Sequence, residues 1–461
     1  MNHNKNASQS QADIHVLSKI DDFFDHFNLG ALFHRCGIRK RHGHAVRSLI
    51  ETIFTLPFVG KNFFRGIVIN EALAFSKDAA YEVLKGSAYN WRRLLLDLGC
   101  RLYTFFNRLT GEDRESVLII DDSPYDRSRS KMVELLSRIW DHSTKRYLKG
   151  FRMLTICWSD GSSCLPLDFS LLSSSDEKKR LCDSHKTLDK RCCAYQRRKE
   201  AISKATVQLE SMLRRILSAG IQARYLLMDS WFMMPVTVSA LAKHIDVIGM
   251  VKKTPKILYR CGGDRMDLLA IYRKLKKRRG RSKILAGILI ELKEGLPAKL
   301  VFVRDKRKKD WLALLSTDIT LADEDIVRIY GKRWDIEVFF KMAKHHLKLA
   351  KEIQCRDFDA LIAHTTIVFM RYMFLAYQCR IQTDDRTFGD LFYACCDEVK
   401  DISFIEALYR ILTLAADQLR KLGTFCEKTA AAFFDAVVEA AWQCVGLSKN
   451  NLIIQNLKPE S

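Results

Sequence analysis

Residues 330–344 read YGKRWDIEVFFKMAK. Tyr330, Arg333, Glu337 and Lys344 follow one another at spacings of three, four and seven. On a continuous α-helix these four and Lys341 fall within roughly an 80° sector. Ile336, Phe339, Phe340 and Ala343 take the opposite side, as a helix packed on a core requires. One carboxylate therefore stands among phosphate-seeking cations, with a phenol beside it. An amphipathic surface helix would also carry a polar stripe, so the rest of the chain has to decide between the two.

The composition points to a polyanionic partner. Lys and Arg number 76 against 54 Asp and Glu, a formal charge of +22 with a pI near 9.4. Phosphate neutralisation with counterion release favours such a surface. The sequence reads as having no uninterrupted apolar run of spanning length and no secretory h-region, so no membrane role is expected. Fourteen cysteines without a C-x-x-C pair read as reduced thiols of a cytoplasmic protein. The adjacent pairs Cys192–Cys193 and Cys395–Cys396 lack partners at zinc-ligand spacing.

Along the chain, residues 1–12 read as a disordered tail and 13–110 as a helical, DNA-binding region. Within it, Ser76–Leu98 reads as helix, turn, helix. Asn90, Trp91, Arg92 and Arg93 open the second helix, where a helix-turn-helix would present DNA contacts. At Ser116 the pattern changes: SVLIIDD is a β-branched run ending in Asp121 and Asp122, the look of a buried strand. Strand-like stretches follow at 150–158 and 163–171, then a basic helix from about 195 to 219. ARYLLMDSWF is a second apolar strand, ended by Asp229. Strands ended by carboxylates with helices between them predict a mixed α/β sheet with its site at the strand ends.

From about 246 to 317 the chain is strand-rich again, interrupted by RKLKKRRGRSK, eight cations in eleven residues. Lys276, Lys277, Arg278, Arg279 and Arg281 in this block are candidate nucleic-acid contacts. Helical pattern resumes after Leu321 and runs to the end.

Three carboxylates at the ends of core elements can hold two Mg²⁺ ions, with Mn²⁺ as a substitute, for phosphodiester chemistry. Strand alternation allows only one of Asp121 and Asp122 to face such ions. His142, after Asp141, reads as a structural neighbour of the site.

On these residues the chain resembles the insertion-sequence transposases of the DDE superfamily with the Tyr-x2-Arg-x3-Glu-x6-Lys signature. Tyr330, Arg333, Glu337 and Lys344 match it at every spacing, and the stretch DDSPYDRSRSKMVELLSRIWDH is similar to the first-acid region of one subgroup. The resemblance spans roughly residues 75–380. It implies Asp122, Asp229 and Glu337 as catalytic, metal-binding acids. Asp122 is preferred to Asp121 because Ser123 follows it, as Ser or Thr typically follows the family's first acid.

The resemblance also implies a ribonuclease-H-like catalytic domain in two parts, 111–240 and 321–385. A β-rich, basic insertion at 241–320 separates them, and a helical C-terminal region follows at 386–461. Tyr330, Arg333, Lys341 and Lys344 would grip phosphates, and Trp311 would stack on a base flipped from the DNA end. The implied activity is cut-and-paste transposition on terminal inverted repeats and target DNA, by a homodimer in the synaptic complex. Such an enzyme is expected at the bacterial nucleoid. The rivals are a catalytically inactive end binder or repressor, and a nuclease of the same fold that cuts without joining.

Overall fold

The computed structural model describes residues 19–381, apart from 71–72, 110–113, 143, 185–186, 280–281, 293–294 and 306–309. The expected 1–12 tail, the 386–461 region and Arg281 lie outside the described residues. Five helices come first: α1 (Lys19–His26), α2 (Leu29–Arg35), α3 (Val46–Thr55), α4 (Lys77–Leu84) and α5 (Trp91–Arg108). Four strands follow: β1 (Val117–Asp126), β2 (Ser137–Asp141), β3 (Arg146–Ser159) and β4 (Cys164–Leu172). Gly161, at φ +86°, makes the turn between β3 and β4.

The expected basic helix is two helices, α6 (Cys193–Ala201) and α7 (Ala205–Ser218). Next come β5 (Tyr225–Met228), α8 (Pro235–Leu241) and β6 (Asp246–Val251). The strand-rich stretch holds β7 (Leu258–Cys261), β8 (Asp264–Asp267), α9 (Leu268–Lys274), β9 (Ile284–Glu291), β10 (Pro297–Asp305) and β11 (Asp310–Ser316). The last described elements are α10 (Asp323–Gly331), α11 (Trp334–His345) and α12 (Phe358–Ile381).

All eleven strands join one mixed sheet, ordered β2-β3-β1-β5-β6-β11-β10-β9-β7-β8, with β4 also paired to β3. β1 and β3 run antiparallel, whereas β1, β5 and β6 run parallel, as buried apolar strands with helical crossovers do. β1 is buried from Val117 to Ile120 and β5 throughout. β11 pairs antiparallel with β6, so the strands of the 246–317 stretch extend the central sheet.

α12 is the spine. It passes between the sheet and the N-terminal helices, and Phe374 meets Phe23 at 5.5 Å and Phe54 at 6.0 Å. By length and composition α12 could cross a membrane, which the sequence reading overlooked, but its apolar window is entirely buried in protein. Its one buried guanidinium, Arg371, is fully partnered. It donates to Phe54 O at 2.9 Å, Leu347 O at 3.1 Å and Glu352 at 2.7 Å and 3.0 Å. Glu352 also holds His364 at 2.5 Å. Removing either partner of such a buried pair costs about 3–5 kcal/mol, so this network locks the first helices onto the sheet.

Candidate active site

The parallel register of β1 and β5 sets Ile120 opposite Met228. Carried one residue further, it brings Asp121 level with Asp229, just past the end of β5. α11 packs on β1 and brings Glu337 to the same place. Arg333, in the turn before α11, ties the group together. It donates to Asp121 at 3.2 Å and to Glu337. Burial pushes the Asp121 carboxyl up to about 7; Arg333 pulls it down, and the charges of Asp229 and Glu337 push it further up. These three carboxylates thus act on one another as a cluster.

Asp122 is in a different situation. Its carboxylate accepts from Arg152, a diagonal neighbour across the β1–β3 pair. The sequence preferred Asp122 as first acid; the register instead sets Asp121 beside Asp229 and leaves Asp122 with a cation. The Ser-after-Asp pattern does not reveal which face of the sheet each acid takes.

The signature itself is split between two helices. α10 ends at Gly331, Lys332 and Arg333 form a turn that keeps helical angles, and α11 starts at Trp334. Tyr330 remains beside Arg333, whose guanidinium carbon lies 5.9 Å from the phenol ring centre. Burial pushes the Tyr330 hydroxyl up to about 12, with Arg333 opposing and Asp229 and Asp121 reinforcing. Lys344 donates to Ser123 at 2.6 Å, and burial holds its ammonium below the usual lysine range. Lys341 stands exposed on α11. A cleft of about 290 Å³ runs between these groups, lined by Asp121, Asp122, Ser123, Arg152, Glu337 and Lys344, with Asp141 and His142 at its side.

Several expected DNA contacts are placed otherwise. Trp91 is fully buried, which removes it from any interface with DNA. Asn90 caps α5, accepting from Arg93 N at 3.0 Å. Arg92 is consumed by Asp168 at 2.9 Å and Glu200 at 2.8 Å. Arg93 is half-exposed, 3.6 Å from Asp97. α5 packs on β4 and α12, so the presumed recognition helix is part of the scaffold. In the basic block, Arg278 pairs with Glu324 at 2.9 Å and Asp323 at 3.2 Å, and Lys277 lies over Tyr272. Lys276 and Arg279 are exposed. Trp311 stacks on Tyr272 with ring centres 4.4 Å apart, and Lys253 sits 3.9 Å from its ring centre.

Two features escaped the sequence reading. Arg39, Arg41, His42 and His44 form an exposed basic loop between α2 and α3, visible in the sequence as RKRHGH but passed over among helical punctuation. Trp231, two residues beyond Asp229, is 45% exposed beside the acids.

Among the described residues, no three His, Cys, Asp or Glu side chains are gathered as a ready metal-holding group. The donor chemistry nevertheless fits a hard divalent cation: the cluster is all carboxylate oxygen, and the Arg333 guanidinium occupies the cationic place between Asp121 and Glu337.

A family model described as "DDE superfamily endonuclease" matches residues 72–262, and one described as "Archaeal putative transposase ISC1217" matches residues 186–353. The first match contains Asp121, Asp122 and Asp229; the second contains Asp229 and Glu337. No curated protein matches the chain. A DDE endonuclease domain implies a ribonuclease-H-like fold and work with divalent metal ions, and the mixed sheet agrees with that fold. These two overlapping matches join all the candidate acids and support an insertion-sequence transposase of the DDE superfamily.

Proposed function

We propose that this chain is a cut-and-paste DNA transposase. It binds the terminal inverted repeats of its own element, nicks them, excises the element through hairpinned ends and joins the freed 3′-hydroxyls to target DNA. The observation that carries this reading is the gathering of Asp229 and Glu337 around Asp121, where the pairing of β1 with β5 ends, with Arg333 bridging Asp121 and Glu337 at the start of α11.

In this reading Asp121, Asp229 and Glu337 hold two divalent ions, Mg²⁺ or Mn²⁺, with Asp121 taking the role that the sequence gave to Asp122. Two such ions, when bound, activate the attacking oxygen and steady the leaving one. The protein's own groups do the positioning. Arg333 leaves the carboxylates and turns to a phosphate oxygen, where its planar fork makes paired hydrogen bonds. Lys344, short of full solvation, exchanges Ser123 for a phosphate, and Tyr330 and Lys341 extend the grip along the strand. Lys276, Arg279 and the Arg39–His44 loop carry charge to DNA further from the cut. Trp311 reaches a base only after Lys253 gives up its ring face. Two copies on paired ends make the synaptic complex.

The test is cleavage and strand transfer on labelled DNA carrying the repeats that flank the source gene, with Mg²⁺, with Ca²⁺, and with Glu337→Gln protein. Metal-dependent cutting at the repeat tip plus joined product, lost in Glu337→Gln, is the expected result. Binding without cutting by the wild type overturns it in favour of an inactive end binder, and cutting without joining in favour of a simple nuclease.

A further inference from the structure

Trp231 is the tryptophan closest in sequence to the acids, following Asp229 by two residues in the turn after β5. A side chain of this size left 45% exposed invites an explanation, because burying an indole is strongly favourable and this one follows an internal strand of the sheet. Its surroundings are cationic. Lys252 Nζ lies 4.2 Å and the Arg152 guanidinium carbon 5.2 Å from the ring centre, and the His142 ring centre is 5.9 Å away. These groups come from the end of β6, from β3 and from the end of β2, so the frame is assembled from four segments of the sheet.

The frame also connects with the otherwise unused acid. Asp122 accepts from Arg152, which fixes the guanidinium between the cleft and the indole. Consecutive lysines, Lys252 and Lys253, lie over the two tryptophans Trp231 and Trp311. Trp311, however, already has a ring stacked upon it, whereas Trp231 meets the His142 ring only at a tilt of 51°. An exposed indole flanked by two cations suits one nucleotide: the base stacks on the ring and the cations take the adjoining phosphates.

Resting on the transposase reading above, we propose that Trp231, framed by Arg152 and Lys252, is a stacking platform for one nucleobase beside the scissile phosphate. Asp122 is the positioning residue that sets Arg152 for it. Lys252, on a flexible stem, leaves the ring when the base arrives and turns to the backbone. Its place over an exposed indole is held more weakly than a base would hold it.

The test is single-turnover cleavage of repeat-end DNA by wild type, Trp231→Ala, Trp231→Phe and Asp122→Ala. It is repeated on duplexes in which an abasic site is walked through the nucleotides around the cut. On intact DNA, Trp231→Ala should cut about tenfold or more slowly, with Trp231→Phe recovering much of the loss. At one abasic position, the wild type should fall to the Trp231→Ala rate and the two proteins become indistinguishable. Asp122→Ala should show a deficit that vanishes on the same substrate, with Mn²⁺ binding by calorimetry unchanged. A Trp231→Ala rate equal to wild type on intact DNA overturns the proposal. So does a deficit that persists at every abasic position, which marks a role in packing. Failure of the wild type to cut any repeat end with metal defeats the transposase reading itself.

Discussion

Arg333 reaches Asp121 at 3.2 Å across 212 residues of chain, and its other nitrogen holds Glu337 four residues on. A cation of the protein's own thus balances part of the charge of the acid cluster. Arg333 and a divalent ion compete for the same oxygens. Arg333→Gln should tighten Mn²⁺ binding in the absence of DNA by roughly tenfold or more, since a unit charge at contact distance is being removed. Strand cleavage should fall at the same time. Calorimetry with Mn²⁺ and a cleavage assay on one protein preparation check both directions, and weaker metal binding in the variant would refute the competition.

The two neighbouring aspartates are separable. Asp121→Asn should abolish cleavage and weaken Mn²⁺ binding. Asp122→Asn should keep metal binding and lower cleavage by roughly ten- to hundredfold, the usual cost of disturbing a supporting hydrogen bond. Metal titrations of both variants decide it. Loss of metal binding in Asp122→Asn alone would restore the assignment made from Ser123.

Two basic segments of the N-terminal region should behave oppositely. Trp91→Ala empties a fully buried site and should cost about 3–5 kcal/mol of stability, measured by denaturant unfolding. The double variant Arg39→Ala, Arg41→Ala should leave stability nearly unchanged. Its slope of log affinity for DNA against log salt should become shallower by roughly 2, about 0.9 for each lost phosphate contact. An unchanged slope would take the loop off the DNA.

One carboxyl gives a pH signature away from the active site. Glu51 on α3 is pushed up from 4.5 to about 8, first by burial and then by a hydrogen bond shared with Asp21. The folded state therefore prefers Glu51 protonated. That stabilising contribution is complete below pH 4.5 and is lost as pH rises through about 8. The melting temperature should be higher at pH 6 than at pH 9, with Glu51→Gln flattening the difference. An identical pH dependence in Glu51→Gln would show that another group is responsible.

The α/β character and the places of Asp229 and Glu337 were legible because they depend on local pattern. β1 opens with a short apolar run that two acids follow, β5 is an apolar run followed by an acid, and α11 carries its apolar residues at helical spacing. What was not legible depends on pairing. The choice between Asp121 and Asp122 turns on the register of β1 against β5, which no neighbouring residue specifies. Arg92 reads as a surface cation until Asp168 and Glu200, 76 and 108 residues away, are brought to it. The signature looked like one helix because the turn at Lys332–Arg333 keeps helical backbone angles and lacks glycine or proline within it. The 382–461 stretch, with the expected helical C-terminal region, is outside the described residues.

The ladder that runs from β1 through β6 and β11 to β8 has a consequence for how such an element diversifies. Its reactive end and its outer end belong to one stiff object, yet they lie many rungs apart. Strands and loops beyond β9 can be lengthened, trimmed or recharged without shifting Asp121 or Asp229. Sequence change at that outer margin is thereby uncoupled from the positions of the acids on β1 and after β5.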